Sequence, residues 1–72
     1  MRRNYKLQGE ICANCAAKIE DKVRKLDGVN DAKVNFMMLR FTLDASEESF
    51  DDALTQSLRI FEDIEPDCTV VV

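Results

Sequence analysis

Histidine is absent from this sequence, which removes the commonest general base and the commonest metal ligand. No apolar run approaches the roughly 18 residues that cross a bilayer. The apolar stretch after Arg2 and Arg3 is far too short for a signal peptide. Positive charge is not in excess, with 10 Lys and Arg against 14 Asp and Glu and a net charge of −4. That balance argues against sequence-independent nucleic-acid binding, which needs clustered cations on phosphates. No G-x-x-x-x-G-K-[ST] loop and no phosphorylatable Asp motif is present, so the segment is read as a module without catalytic machinery of its own. Linkers, low-complexity stretches and internal repeats are also missing, and 72 residues leave room for one domain, 1–72. At 46% apolar and 33% charged, the chain is expected to fold around a thin core.

Cysteine is present in an odd number, as Cys12, Cys15 and Cys68. An odd count argues against a secreted disulfide scaffold, which pairs its cysteines in even sets. Cys12-Ala13-Asn14-Cys15 is a C-x-x-C. Without an export signal the expected setting is a reducing cytoplasm, where the pair stays as thiols. Two chemistries then compete, metal binding and thiol–disulfide exchange.

Periodicity divides the chain into six elements. Residues 3–8 alternate, with Tyr5 and Leu7 on one side, and Gly9 ends that strand. From about Asn14 to Leu26 the period becomes helical, with Ala16, Ile19, Val23 and Leu26 in one stripe. Asn14 is the expected N-cap and Gly28 the expected C′ residue. Ala32, Val34 and Phe36, then Leu39, Phe41 and Leu43, mark two alternating runs joined near Met37 and Met38, an antiparallel hairpin. Ser46 or Ser49 is expected to cap a second helix whose stripe is Phe50, Leu54, Leu58 and Phe61. Glu65, Pro66 and Asp67 break it, and Cys68 to Val72 reads as a last strand. The expected fold is α+β, a ferredoxin-like β-α-β-β-α-β sandwich with an antiparallel sheet and both helices on one face. Its core is expected to comprise Leu7, Ile19, Val23, Leu26, Val34, Phe36, Phe41, Leu43, Leu54, Leu58, Phe61 and Val70.

The C-x-x-C spans a strand-to-helix loop, with Cys12 in the loop and Cys15 in the first helical turn. Free N–H groups and the positive end of the helix dipole favour a thiolate there, the form that binds soft metals and attacks disulfides. Lys18, one turn on, is expected to add to that field. The two-residue spacer lets both sulfurs converge on one ion. The split β-α-β topology brings the loop after the second helix towards the first loop, so Glu10, Asp67 and Cys68 are candidates to complete a ligand shell. Against a ligand role, Cys68 also reads as an inward core position on the face of Val70 and Val72. Met37 and Met38 look like soft-metal ligands, but the hairpin turn is expected at the far end from the cysteine loop, so they are read as hairpin packing or partly exposed residues. The acidic stretches 44–52 and 62–67 read as a solvated face that supports the helix dipole and guides docking to a basic partner surface.

The run Gly9-Glu10-Ile11-Cys12-Ala13-Asn14-Cys15-Ala16-Ala17-Lys18-Ile19-Glu20, with Leu26-Asp27-Gly28-Val29 and Asp31-Ala32-Lys33-Val34-Asn35-Phe36, resembles the heavy-metal-associated domain family. The family pattern is a G-M-x-C-x-x-C loop, a helix and a G-V-x-x-x-x-V-N stretch. The Cys-Ala-Asn-Cys-Ala core and the Ala-Lys-Val-Asn-Phe strand look most like the N-terminal metal-binding domains of cadmium/zinc/lead-type P-type ATPases. The resemblance implies metal binding at Cys12 and Cys15. It also implies a metal-transporting ATPase (the same chain or a partner) or a metal chaperone as the counterpart, and a monomer in the cytoplasm. The segment is expected to be part of a longer transporter and not to insert in the membrane itself. Glu10 stands where the family has a Met that packs under the loop. A carboxylate cannot pack there cheaply, so Glu10 is expected in solvent or facing the metal.

Charge separates the candidate ions. Cu(I) on two thiolates gives a site of net charge −1, which a nearby carboxylate makes less favourable. Zn(II) or Cd(II) on two thiolates is neutral and has half of its usual four ligands, so a carboxylate helps. Zn(II), Cd(II) or Pb(II) is therefore favoured over Cu(I). The alternatives are a Cu(I) chaperone or copper-ATPase domain, and a thiol–disulfide exchange protein, for which the element order is wrong.

Overall fold

The alternation at the start of the chain becomes strand β1 (Arg2–Gly9), and the helical stripe becomes α1 (Ala13–Arg24). They are followed by β2 (Val29–Asn35), β3 (Arg40–Ala45), α2 (Phe50–Ile64) and β4 (Cys68–Val71). These elements come from a computed structural model that describes residues 1–71, so Val72, expected in the last strand and on its core face, lies outside the described residues. The β-α-β-β-α-β order is the expected one. The strands form one sheet in the order β2-β3-β1-β4, antiparallel at each junction. The helices pack on each other, α1 also against β2 and α2 against β4 and β3.

The core lies between the helices and the inward residues of the pleat. Phe41 is its centre. Its ring meets Phe61 edge-on at 5.1 Å between centroids and stacks on Tyr5 at 6.3 Å. Leu7, Ile19, Val23 and Leu43 close around it, all buried. Ile11, Ala16, Ala32, Ala45, Phe50 and Ala53 are also buried and were not among the expected core residues, and Cys68 is buried as its inward reading implied.

Four expectations need correction. Phe36 is 43% exposed, because β2 ends at Asn35 and the Asn35 side chain caps the turn that follows, carrying Phe36 out of the pleat. On α2 the buried line is Phe50, Ala53, Ser57 and Phe61, with Leu54 and Leu58 half-buried on its flank. Small residues on the inner line let α2 approach its neighbours closely. Ser57 is tolerated there because its hydroxyl donates to the Ala53 carbonyl at 2.6 Å. The N-cap of helix α1 is Cys12, two residues before the expected Asn14. Its C-cap is Lys25, so half-buried Leu26 lies past the helix, and Gly28 (φ 84°) serves the turn into β2 instead of the C′ position.

The edge of β2 is closed by α1. Glu20 Oε2 accepts the Val34 N–H at 2.9 Å, and Arg24 Nε donates to the Ala32 carbonyl at 3.0 Å. Arg24 is held in turn by Glu20 and Asp31 at 3.4 and 3.3 Å. These bonds satisfy edge groups that would otherwise be free to pair with another strand.

Candidate metal centre

Strand direction decides what meets the cysteine loop. Because β1 runs antiparallel to both β3 and β4, its last residues face their first ones, with Lys6 opposite Arg40 and Gly9 opposite Cys68. The Leu7 N–H also donates to the Leu39 carbonyl at 2.8 Å. Three connections therefore gather at one end of the sheet: the loop after β1, the hairpin before β3 and the loop before β4. The expectation that Met37 and Met38 sit at the far end is overturned by this register. Phe36, Met37 and Leu39 line the same cleft as Glu10, Ile11, Cys12, Glu65 and Asp67.

The loop is anchored on both sides of the cysteines. Gly9 has φ 104°, and a Cβ on it would collide with the Asp67 carbonyl oxygen, so only glycine lets the first and last loops close together here. Ile11 is buried and pins the backbone just before Cys12. Glu10 faces solvent, so no carboxylate is buried under the loop.

Cys12 sits at the N-cap in extended conformation, and its Sγ accepts the Cys15 N–H at 3.3 Å. Cys15 is half-buried in the first turn. Glu65 caps the C-terminus of α2, with its N–H bonded to the Phe61 carbonyl at 2.8 Å and its own carbonyl accepting the Cys68 N–H at 3.1 Å. Pro66 disfavours a helical conformation in the residue before it. Glu65 leaves the helix there at φ −140°, ψ 79°. Cys12 Sγ, Cys15 Sγ and a Glu65 carboxylate oxygen all lie within 4.8 Å of one another.

The two thiols are unequal. Hydrogen bonding from the Cys15 thiol and then the Cys15 N–H holds Cys12 below the usual thiol range. Cys15 is pushed up to about 11, first because its proton is shared with Cys12 Sγ, then by burial and by its hydrogen bond to Glu65. Cys12 is therefore the more acidic of the two and loses its proton before Cys15. Lys18 is exposed and is not among the groups that lower Cys12. Cys68 is raised by burial and secondarily by the Glu65 charge.

Of the residues singled out in the sequence, the fold brings Cys12 and Cys15 together. Glu10 and Asp67 are exposed on the rim of the cleft, and Cys68 is 3% exposed in the core. Among the described residues, no close group of three or more Cys, Asp and Glu donors includes Glu10, Asp67 or Cys68. Glu65 is the member that sequence reasoning missed, since it was read as part of a helix breaker and of a solvated acidic face. The signal was an acidic residue directly before the proline, in the loop already expected to approach the cysteines. Two thiolates and a carboxylate, open to solvent on one side, form a donor set suited to a borderline or soft divalent ion, with a position left for water or an incoming ligand.

The chain is similar to known proteins over most of its length. Residues 8–59 match the heavy-metal-associated domain family. A cadmium-transporting ATPase of Staphylococcus aureus is 62% identical over 32 residues, 44% of this chain and 4% of that protein. The cadmium, zinc and cobalt-transporting ATPase of Bacillus subtilis strain 168 is 31% identical over 70 residues, 97% of this chain and 10% of that protein. The chain thus spans a small part of the length of each of these relatives. The solution structure of the N-terminal domain of ZntA in its Zn(II) form superposes with a TM-score of 0.73 at 28% identity, covering 97% of this chain and 88% of that one.

Proposed function

The chain belongs to the heavy-metal-associated domain family, and we propose that it binds one divalent heavy-metal ion as the cytoplasmic N-terminal domain of a transporting P-type ATPase. The ion is Zn(II), Cd(II) or Pb(II). Cys12 and Cys15 hold it as thiolates, and Glu65 supplies the third donor. The observation that carries this reading is the Glu65 oxygen within 4.8 Å of both sulfurs. A divalent ion on two thiolates is neutral, and the carboxylate brings the site to a single negative charge. A monovalent ion would leave two, in a chain whose net charge is already −4. Glu10 and Cys68 take no direct part in this reading.

Binding begins at Cys12, the more acidic thiol. The ion meets the Cys12 thiolate, its charge releases the Cys15 proton, and Glu65, the hardest donor, closes the shell. Transfer runs in reverse. An incoming thiolate of the acceptor replaces Glu65 on the open side, and the ion passes through a shared-ligand intermediate. The segment acts as a monomer and performs no hydrolysis. Thiol–disulfide exchange is the weaker reading, because the β-α-β-β-α-β element order is not that of a thioredoxin-like redox fold.

The test is a competition titration of the reduced protein with Zn(II), Cd(II) and Cu(I), read by thiolate-to-metal absorption. One tightly held divalent ion per chain, weakened in Glu65→Gln, is the expected result. Cu(I) binding alone would transfer the assignment to copper trafficking, and no binding at all would leave only the dithiol chemistry.

A further inference from the structure

Met37 is 82% exposed, although a methionine ordinarily fills gaps in a core. Its position is not set by packing. Asn35 Oδ1 accepts the N–H groups of both Met37 and Met38, at 3.1 and 3.0 Å, and Leu39 turns the chain through φ 55°. The backbone of the hairpin tip is thus defined while the Met37 side chain stays free. That free side chain lines a cleft of about 520 Å³ whose other walls include Cys12 and Glu65. A soft, neutral sulfur on a flexible stem therefore lines the same cleft as the Cys12 sulfur and the hard, charged carboxylate of Glu65.

We propose that Met37 is an alternative third ligand for a monovalent soft ion, its Sδ closing over Cu(I) or Ag(I) held by Cys12 and Cys15 while Glu65 stays off the ion. This rests on the proposed dithiolate site and extends it. The reason is charge and softness together. A thioether adds no charge, so a monovalent ion on two thiolates stays at one negative charge, where Glu65 would make it two. The thioether is also a soft donor, preferred by Cu(I) and poorly matched to Zn(II). The two third donors sort ions by valence: Glu65 completes the shell of a divalent ion, and Met37 that of a monovalent one. The unbranched side chain has three rotatable bonds with which to cross the cleft.

The experiment uses the reduced 72-residue chain with methionine labelled at the methyl carbon, giving signals from Met1, Met37 and Met38. Silver(I) nitrate is the monovalent probe, because it does not cycle in oxidation state, and Cd(II) is the divalent one. One equivalent of Ag(I) is expected to shift the Met37 methyl, whereas one equivalent of Cd(II) leaves it in place. Met37→Leu keeps the size and exposure of the side chain, and is expected to weaken Ag(I) about tenfold while changing Cd(II) affinity less than about twofold. The inference is overturned if Ag(I) binds with the Met37 methyl unmoved, if Met38 moves in its place, or if Met37→Leu binds Ag(I) as tightly as the parent. Absence of thiolate-to-metal absorption with both ions would overturn the dithiolate site itself, and this inference with it. Cd(II) binding that survives a negative Ag(I) result leaves the site standing and removes only Met37.

Discussion

Cys12 Sγ accepts the backbone N–H of Cys15 at 3.3 Å, so the first cysteine of the C-x-x-C caps the helix that carries the second. This divides the acidity of the pair. Cys12 is lowered and Cys15 raised to about 11, so the first proton leaves from Cys12. Alkylation followed by mass spectrometry is expected to label Cys12 first, with a rate that levels off at lower pH than for a free cysteine. Cys12→Ala removes the largest upward influence on Cys15, whose alkylation at pH 8 is then expected to speed up. Equal rates at both positions in the parent would contradict the cap.

Glu65→Gln separates coordination from field. Loss of the carboxylate removes a negative charge that raises all three thiols, so Cys15 becomes more acidic and reacts faster. Cd(II) affinity is nevertheless expected to fall, by about tenfold if one ligand is lost. The opposed directions are the diagnostic, since better thiolates alone would tighten binding. Isothermal titration and iodoacetamide kinetics on the same sample measure both.

Gly9→Ala tests the closure of the first and last loops. Its φ of 104° is unfavourable for any residue with a Cβ, and that Cβ has the Asp67 carbonyl in its way. The substitution is expected to destabilise the fold by at least about 1–2 kcal/mol, the strain of a positive φ alone. It should also weaken Cd(II), because the 65–67 loop is pushed from the cysteines. Urea denaturation and metal titration read the two effects, and a neutral Gly9→Ala would mean that the loops are free to separate.

Glu20→Ala probes the edge of β2. The Val34 N–H loses its partner at 2.9 Å, and Arg24 loses one of its two carboxylates. The expected cost is about 1 kcal/mol. Amide exchange of Val34 is expected to accelerate more than that of Ile19 in the buried face of α1, and uniform acceleration would point to global unfolding.

Much of the fold was legible in the residues because it is local. The strand over Tyr5 and Leu7, the stripe Ala16, Ile19, Val23 and the alternation of Phe41 with Leu43 all follow from side-chain period, and each lies in the element it implied. The cysteine spacing was legible for the same reason, since two residues separate Cys12 from Cys15 whatever the rest of the chain does.

What the sequence determined by itself was therefore the element order, the dithiol and its family likeness. Tertiary structure decided everything that depends on two distant segments meeting. The antiparallel register of β1 with β3 and β4 put the Met37 hairpin and the Glu65 loop beside Cys12, where a reading of local pattern had one too far away and the other merely ending a helix. The same packing sent Phe36 outward, against its place in the alternation. Periodicity reports which face of an element is apolar, but it carries no record of which ends of the sheet coincide. That is set by strand direction and close approach at single positions such as Gly9, and these exist only once the chain is folded.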